Sequence, residues 1–436
     1  MAEGPVVACE HCATLHERTP IEPGAIATCT RCGYELYRRS GVPLEGWLAL
    51  VVGALLIFAI ANYFPVVILT MQGLTVQASL PGALWLTWLQ GHELLAIMTG
   101  LFGFWLPFTQ LQFLLWALMS IRSRHLPADF RYGMRFLHWL APWSSMIPVL
   151  MLGTLVAMVK FSGLATLAPG PGIWAFAVLT FLLTGLSRVT AHRLWRYAED
   201  AGLVIASHPD LSDGKLVASC SSCGRVQNID SGLDACDCAR CNAHIHVRKS
   251  NPTARVWALI IAASIIYIPA NVLPVMQVRT ATGNSAHTIL GGVIELWRLG
   301  SWDLALIVFV ASVVVPMTKI LALVVLMLNR RWRGRAVQRQ RTRLYELIEF
   351  IGQWSMLDVF VVILMTAMAN FPGISQVIAG PGAASFGVVV ILTMFAAMSY
   401  DPRRGWDRQP AARQPGTIQS HAASLSGQAA PGRTQS

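Results

Sequence analysis

From Trp47 to Gln90 the chain carries no Asp, Glu, Lys or Arg, and after Glu93 a second uncharged stretch runs from Leu94 to Ile121. Nothing else in the sequence constrains the fold so strongly. A helix needs about 20 apolar residues to cross the hydrocarbon of a bilayer, and these runs are long enough. Only 13% of the 436 residues are charged, about half of what soluble domains carry, so the solvent implied is lipid. Eight segments qualify as spans: 47–69, 94–121, 139–161, 173–189, 256–278, 304–328, 351–371 and 384–400. An even number puts both termini on one side.

Loop charge names that side. Arg38 and Arg39 precede the first span, Arg122, Arg124, Arg131 and Arg135 follow the second, and Arg188, Arg193 and Arg196 follow the fourth. Arg248, Lys249 and Arg255 precede the fifth, a basic run at 330–343 follows the sixth, and Arg403 and Arg404 follow the eighth. The opposite loops, at 70–92, 162–172, 279–303 and 372–383, hold only Arg279 and Arg298. The positive-inside rule then places both termini in the cytosol of a bacterial-type inner membrane. The formal net charge of +11 is accounted for by this orientation, and no nucleic-acid partner is expected. Trp85, Trp88, Trp297 and Trp302 fall near the outer boundary, where an aromatic belt forms. Residues 1–46 are polar and carry no cleavable leader pattern. The tail at 406–436 is rich in Gln, Ala, Pro, Gly and Ser and is expected to be disordered.

The two halves repeat. "ANYFPV" at 61–66 returns as "ANVLPV" at 270–275, and "LPFT" at 106–109 as "VPMT" at 315–318, both offset by 209. "SMIPV" at 145–149 matches "SMLDV" at 355–359, and "APGPG" matches "IAGPG" at 378–382, offset by 210. A four-span unit keeps its orientation when duplicated, so the repeats are parallel rather than inverted. The fold class expected is an all-α polytopic membrane protein with two parallel four-helix repeats, at 41–198 and 251–405.

A small cysteine module precedes each repeat, at 1–40 and within 199–250. Cys9-x-x-Cys12 is followed by Cys29-x-x-Cys32, and Cys220-x-x-Cys223 by Cys238-x-x-Cys241. Paired CxxC knuckles at this spacing read as a four-thiolate zinc ribbon, and cytosolic placement argues against structural disulfides. A closed four-cysteine site leaves no open position on the metal, so two structural Zn2+ ions are expected. Gly33 and Gly224 directly follow a knuckle, where a positive φ is often needed. Cys236 is left over; it is read as a spare thiol, with substitution for Cys238 as the alternative. His11, His244 and His246 are read as surface residues of the ribbons. A thiol-redox role for the CxxC pairs remains the competing reading, although no thioredoxin-like unit accompanies them.

Charge inside the spans marks a second kind of site, because an ionisable group in the bilayer core is costly and is retained where it functions or pairs. Lys319 and Asp358 lie well inside consecutive antiparallel spans, with Thr393 at a similar level, Thr318 adjoining and Pro316 one turn away. This is a polar cluster beside a helix break, a setting in which transporters bind protons, ions or head groups. The matching positions in the first half are Gln110 and Pro148, so only the second half carries the charges. Lys160 is read as snorkelling to the outer interface; His92, Glu93 and Asp303 are read as a solvated boundary. Asn62 and Pro65, with their counterparts Asn271 and Pro274, predict a bent helix end in each half. Signatures of soluble enzymes are absent, with no P-loop, no Gly-x-Ser-x-Gly and no His-Glu-x-x-His, so the chain is expected not to be an enzyme.

Taken together, the two cysteine ribbons, Asn-x-x-Pro in both repeats, Pro-Met-Thr-Lys at 316–319, Trp-Ser-Met-Leu-Asp at 354–358 and Ser-Tyr-Asp-Pro-Arg at 399–403 resemble the paraquat-inducible protein A family over nearly the whole chain. That resemblance implies an inner-membrane protein working with a periplasmic MCE-domain tunnel protein, passing phospholipid or a related lipid to or from it. Proton coupling through the Lys/Asp network is the expected drive, since no ATPase motif is present. A membrane anchor that does not itself transport is the alternative. Pro148, where the motif is acidic in the second half, departs from the pattern.

Overall fold

The computed structural model of the chain describes residues 5–71, 74–89, 91, 93–141, 166–210, 216–229, 235–249, 251–280, 283–298, 300, 302–328, 335–354 and 375–406. Each repeat opens on a long apolar helix, Leu44–Tyr63 in the first and Pro252–Val272 in the second. Proline ends both. The residue before a proline is driven out of the helical region, and Phe64 (φ −83°, ψ 149°) and Leu273 (φ −77°, ψ 149°) are extended just ahead of Pro65 and Pro274.

Beyond that break the chain forms strands. Val67–Met71 pairs antiparallel with Leu74–Ala78 on one side and Thr166–Pro169 on the other. In the second half Met276–Thr280 pairs in the same way with Gly283–His287 and Ser375–Ala379. Val67 faces Pro169, and Met276 faces Ala379, which reproduces the repeat offsets of 209 and 210. These three-stranded sheets depart from the all-α expectation: Val67–Met71 and Met276–Thr280 overlap the far ends of the expected spans 47–69 and 256–278, and the other four strands fall on expected loops.

The sheets explain why the Gly-Pro-Gly triplets repeat. The amide of Gly170 donates to Val66 O (3.0 Å) and that of Gly172 to Pro65 O (3.0 Å); Gly380 and Gly382 bond Val275 O (2.8 Å) and Pro274 O (3.0 Å). A Cβ on Gly170 or Gly380 would lie 2.1 Å from the proline carbonyl oxygen. Only glycine lets the start of the last helix, Pro171–Leu186 or Pro381–Ser399, close so tightly on the end of the first. First and last helices pack side by side in both repeats.

The second helix is broken identically in each half. Glu93–Gly100 continues through a π-helical turn, Leu101–Trp105, into Leu106–Arg122. Trp302–Phe309 continues through Val310–Val314 into Val315–Leu328. Pro107 and Pro316 stand just past the wider turn. A proline has no N–H for the carbonyl four residues back and its ring clashes with it, so the backbone changes register where that bond is lost. Such π turns often mark functional sites.

The core of the first half joins Val51, Ala54 and Phe58 to Leu111, Leu114 and Leu118 and to Phe176, Leu179 and Leu183. This cluster is continuous with Phe386, Val389 and Val390 of the second half. Large apolar side chains such as Leu56, Phe181, Ile265 and Leu321 point outward, as they must when lipid is the solvent. Trp85, Trp88, Trp297 and Trp302 are exposed too. Among the described residues four helices are long and apolar enough to cross a membrane: Leu44–Tyr63, Gly103–Arg122, Pro252–Val272 and Pro381–Trp406. A fifth results if Pro171–Leu186 and Ala191–Asp200, bent by 57°, form one span. The chain is a multi-pass membrane protein. The segments 142–161 and 355–371, where most of two further expected spans fall, lie outside the described residues.

Candidate metal centres and intramembrane site

Each cysteine module is a pair of two-stranded hairpins: Val6–Ala8 with Leu15–Glu17 and Ile26–Thr28 with Glu35–Arg38 in the first, Leu216–Ser219 with Val226–Ile229 and Ala235–Asp237 with His244–His246 in the second. A CxxC knuckle forms each of the four hairpin turns, and all four share one hydrogen-bond pattern. The amide of the first cysteine donates to the carbonyl five residues on, as in Cys9 to Thr14 (2.9 Å) and Cys238 to Ala243 (2.9 Å). The amide four residues on donates back to the cysteine carbonyl, from Ala13, Gly33, Gly224 and Asn242, at 2.8 to 2.9 Å. Those four residues all have positive φ: 59°, 84°, 73° and 57°. Gly33 and Gly224 were legible as such positions; Ala13 carries no such signal, and the tolerance of asparagine for this region at Asn242 was overlooked.

That conformation costs an L-residue with a Cβ about 1 kcal/mol or more. Ala13→Gly is therefore expected to slow metal release from the first ribbon to a competing chelator, with a net gain of about 0.5 kcal/mol after the extra chain entropy of glycine. Ala13→Val should speed it. Equal release rates in the two variants would remove the role assigned to the positive φ.

In the first cluster Cys9 Sγ lies 3.4 Å from Cys32 Sγ, and Cys12 Sγ 3.5 Å from Cys29 Sγ. In the second, Cys220–Cys241 and Cys223–Cys238 are 3.6 and 3.5 Å apart. Within each cluster all four sulfurs lie within 4.8 Å of one another, and all eight cysteines are buried. A disulfide would bring a pair to about 2.05 Å, and every cysteine is a free thiol. A tetrahedral ion with bonds of about 2.3 Å holds its sulfurs about 3.8 Å apart, so both donor sets fit a thiolate-bound metal ion. None of the four knuckles opens a helix, the setting that lowers a redox thiol's pKa in thioredoxin-like pairs.

Cys236 stays outside the cluster, its Sγ 3.2 Å from Gln227 Nε2. His244 and His246 are exposed. His11 is buried, stacked on Tyr34 with ring centroids 3.8 Å apart. Burial pushes its pKa down, against the pull of Glu10. His16, which sequence reasoning missed, is the histidine that touches a ligand: its Nε2 lies 3.3 Å from Cys29 Sγ. Neighbouring ring nitrogens commonly orient and tune metal ligands in this way. A β-strand position two residues beyond a knuckle's turn was the available signal.

The second site lies on Val315–Leu328. Lys319 is 2% exposed and Pro316 is buried on the same side of this helix, which packs against Pro252–Val272, Arg335–Trp354 and Pro381–Ser399. Thr393 on Pro381–Ser399 is buried, its hydroxyl donating to Val390 O at 2.9 Å. Thr318 is exposed, on a different side of the helix from Lys319. Ser312 joins the buried face: it sits in the π turn two helical turns before Lys319, is 2% exposed, and donates to Val308 O at 2.7 Å. Repeat alignment could have found it, since Ser312, Lys319 and Thr393 stand where the first half has Gly103, Gln110 and Leu183. Asp358, Lys160 and Pro148 lie outside the described residues. At the C-terminal ends of the first helix of each repeat, Asn62 Nδ2 donates to Phe58 O and Asn271 Nδ2 to Tyr267 O, both at 2.8 Å.

The sequence profile described as paraquat-inducible protein A matches residues 44–199 and 253–409, one match on each repeat. "Intermembrane transport protein PqiA" of Escherichia coli K12 is 30% identical over 417 residues, covering 93% of this chain and 96% of that protein. "Lipophilic envelope-spanning tunnel protein A" of the same strain is 26% identical over 400 residues, 92% of this chain and 90% of that protein. A "probable intermembrane transport protein" of Haemophilus influenzae is 26% identical over 411 residues, 92% and 95% of the two chains. No solved structure matches the chain.

Proposed function

The chain belongs to the paraquat-inducible protein A family, and on that premise we propose that it is the inner-membrane subunit of an intermembrane lipid transport system, passing lipid to or from a periplasmic MCE tunnel protein. Its architecture in this reading is eight spans in two parallel four-helix repeats, at 41–198 and 251–405. Both termini and both ribbons are cytosolic, and each ribbon, at 1–40 and within 199–250, holds one structural Zn2+. Trp406, expected to open a tail at 406–436, is instead buried at the end of the second repeat, and 407–436 lie outside the described residues. The three relatives are named for intermembrane or envelope-spanning transport, which supports the lipid route.

The observation that carries the site assignment is Lys319, buried beside a π turn in the second repeat only. Burying an ammonium in lipid is costly unless it meets an opposite charge. Asp358 on the next span and the phosphate of a lipid head group are the two groups that supply one. Lys319 and Asp358, with Thr393 and Ser312 as hydroxyl donors and acceptors, form the network that binds the head group and moves the coupling proton. Pro316 and the π turn let the helix flex there; Thr318, exposed on another side of the helix, stays outside the network. Asn62, Pro65, Asn271 and Pro274 hold the outer helix ends, above which the three-stranded sheets meet the MCE partner.

The test is lipid transfer by the full chain in proteoliposomes with its tunnel partner. Lys319→Ala and Asp358→Asn should each reduce transfer to near background while the protein keeps its metal content and its yield in the membrane. Parental transfer rates in both variants would mean that the site is elsewhere, or that the chain only anchors the partner.

A further inference from the structure

The ribbons are docked crosswise. Each carries one arginine between the ligands of its second knuckle, Arg31 in Cys29-Thr30-Arg31-Cys32 and Arg240 in Cys238-Ala239-Arg240-Cys241. Each repeat ends in a helix that bears a buried tryptophan just beyond the last long helix: Trp195 in Ala191–Asp200 and Trp406 in Arg403–Trp406. The Arg31 guanidinium lies 5.3 Å from the centroid of Trp406, and its Nη2 donates to Trp406 O at 3.1 Å. The Arg240 guanidinium lies 5.6 Å from the centroid of Trp195 and pairs with Glu199 on the same helix. The first ribbon thus holds the tryptophan of the second repeat, and the second ribbon that of the first.

Packing and backbone contacts around the two tryptophans repeat the pattern, while side chains of the first ribbon also reach the Trp195 helix. Trp406 is 1% exposed and shares an apolar cluster with Cys9, Cys12, Cys29 and Cys32. Trp195 is 3% exposed and packs in the cluster that includes Cys220, Cys223, Cys238 and Cys241. Arg339 of the second repeat donates to Arg31 O (3.3 Å), and Arg135 of the first to Asn242 O (3.2 Å). His192, on the Trp195 helix, sits between the ribbons. Its Nδ1 is 2.6 Å from Glu10 beside the first ribbon's Cys9, and its Nε2 is 2.7 Å from Ser221 O beside the second ribbon's Cys220. Arg18 of the first ribbon reaches Glu199 and Asp200 on that same helix, at 3.0 and 2.8 Å. One contact of this kind could be incidental packing; the same Arg-on-Trp contact made twice, in opposite directions, is a designed pairing.

We propose that the two ribbons form a reciprocal clamp, in which each metal-bound knuckle grips the tryptophan closing the opposite repeat, so that metal occupancy of one ribbon governs the packing of the other repeat's last helix. The physical reason lies in where the arginine stands. Arg31 and Arg240 are flanked on both sides by residues leading to metal ligands, so the metal fixes the backbone that carries the guanidinium. A cation held over a desolvated indole contributes most when neither partner must be ordered to meet the other. The clamp is independent of which substrate the spans carry, so its failure would leave the lipid-transport reading untouched.

Hydrogen–deuterium exchange on the full, metal-loaded chain tests it, together with the rate of metal release to a chromophoric chelator. Trp406→Ala should raise exchange in residues 5–39 and leave 216–249 protected; Trp195→Ala should do the reverse. Each should speed release of one of the two ions by about tenfold, the size expected for losing a buried cation–π contact. Arg31→Gln and Arg240→Gln, which leave the indole in place, should reproduce the two patterns if the larger truncations do not fold. Cys29→Ser should loosen 381–406 of the opposite repeat. Exchange that rises in the same repeat's own ribbon, rises equally in both ribbons, or changes in neither overturns the clamp.

Discussion

Cys220→Ser is expected to cost the second ribbon its metal and its fold together. Each ribbon is two short two-stranded hairpins, with strands of three or four residues. Hairpins of that size are marginal on their own, and this one has no core apart from its four sulfurs and the few side chains around them. In zinc-finger peptides the free energy of structural zinc binding is about 10–16 kcal/mol and is folding free energy. Removing one thiolate from a closed set of four forfeits most of it. Metal analysis should fall from two ions per chain to one, and amide exchange should lose protection across 216–249 while the apolar helices stay protected. Cys236→Ser is the control. Its thiol bonds Gln227 rather than the cluster, so two ions should remain. A Cys220→Ser chain that still holds two ions, or whose ribbon stays protected, would contradict the ligand assignment.

The second large effect is expected at Gly380. A Cβ there would sit 2.1 Å from Pro274 O and 2.9 Å from Pro274 C. Both are backbone atoms, fixed by a proline ring and by the bond from Gly380 N to Val275 O. No rotamer change relieves such a clash; the last helix must move off the first, breaking the sheet register between Met276–Thr280 and Ser375–Ala379. Gly380→Ala should destabilise the chain by about 3 kcal/mol, at the upper end for overpacking, and Gly170→Ala by a similar amount for the same reason. Gly53→Ala, whose Cβ would meet nothing within 4 Å, should be neutral or slightly stabilising. Thermal unfolding in detergent reads all three. Midpoints for Gly380→Ala and Gly53→Ala that coincide would show that the close approach is not a constraint.

These two sites mark how far the residues could be read unaided. Cysteine spacing carries its own geometry, so both clusters were legible before any coordinates. The Gly-Pro-Gly triplets were legible as a repeat, but their cause was not, since it lies in a carbonyl about a hundred residues away in sequence. The first repeat's strands could have been recognised: "VILTM" and "LTVQA" are rich in β-branched residues, and their uncharged run masked the change of period from helix to strand. Ala13 stayed hidden because its side chain says nothing of a positive φ, whereas Asn242, of a type that tolerates the left-handed region, could have been recognised. Lys319 stood out through the cost of charge in lipid, whereas Ser312 needed the repeat to be aligned through the π turn. The crossed docking of the ribbons was beyond reach, because Arg31 and Arg240 look like any surface arginine until the opposite tryptophan is placed beside them.

Native mass spectrometry of the detergent-purified full chain tests the central claim most directly, because it weighs metal and lipid on one molecule. The parent chain should carry two zinc ions and a co-purifying phospholipid. Lys319→Ala and Asp358→Ala should keep both ions and lose the lipid. A parent chain with two ions and no phospholipid, or variants that hold the lipid as the parent does, would contradict a lipid site in the second repeat.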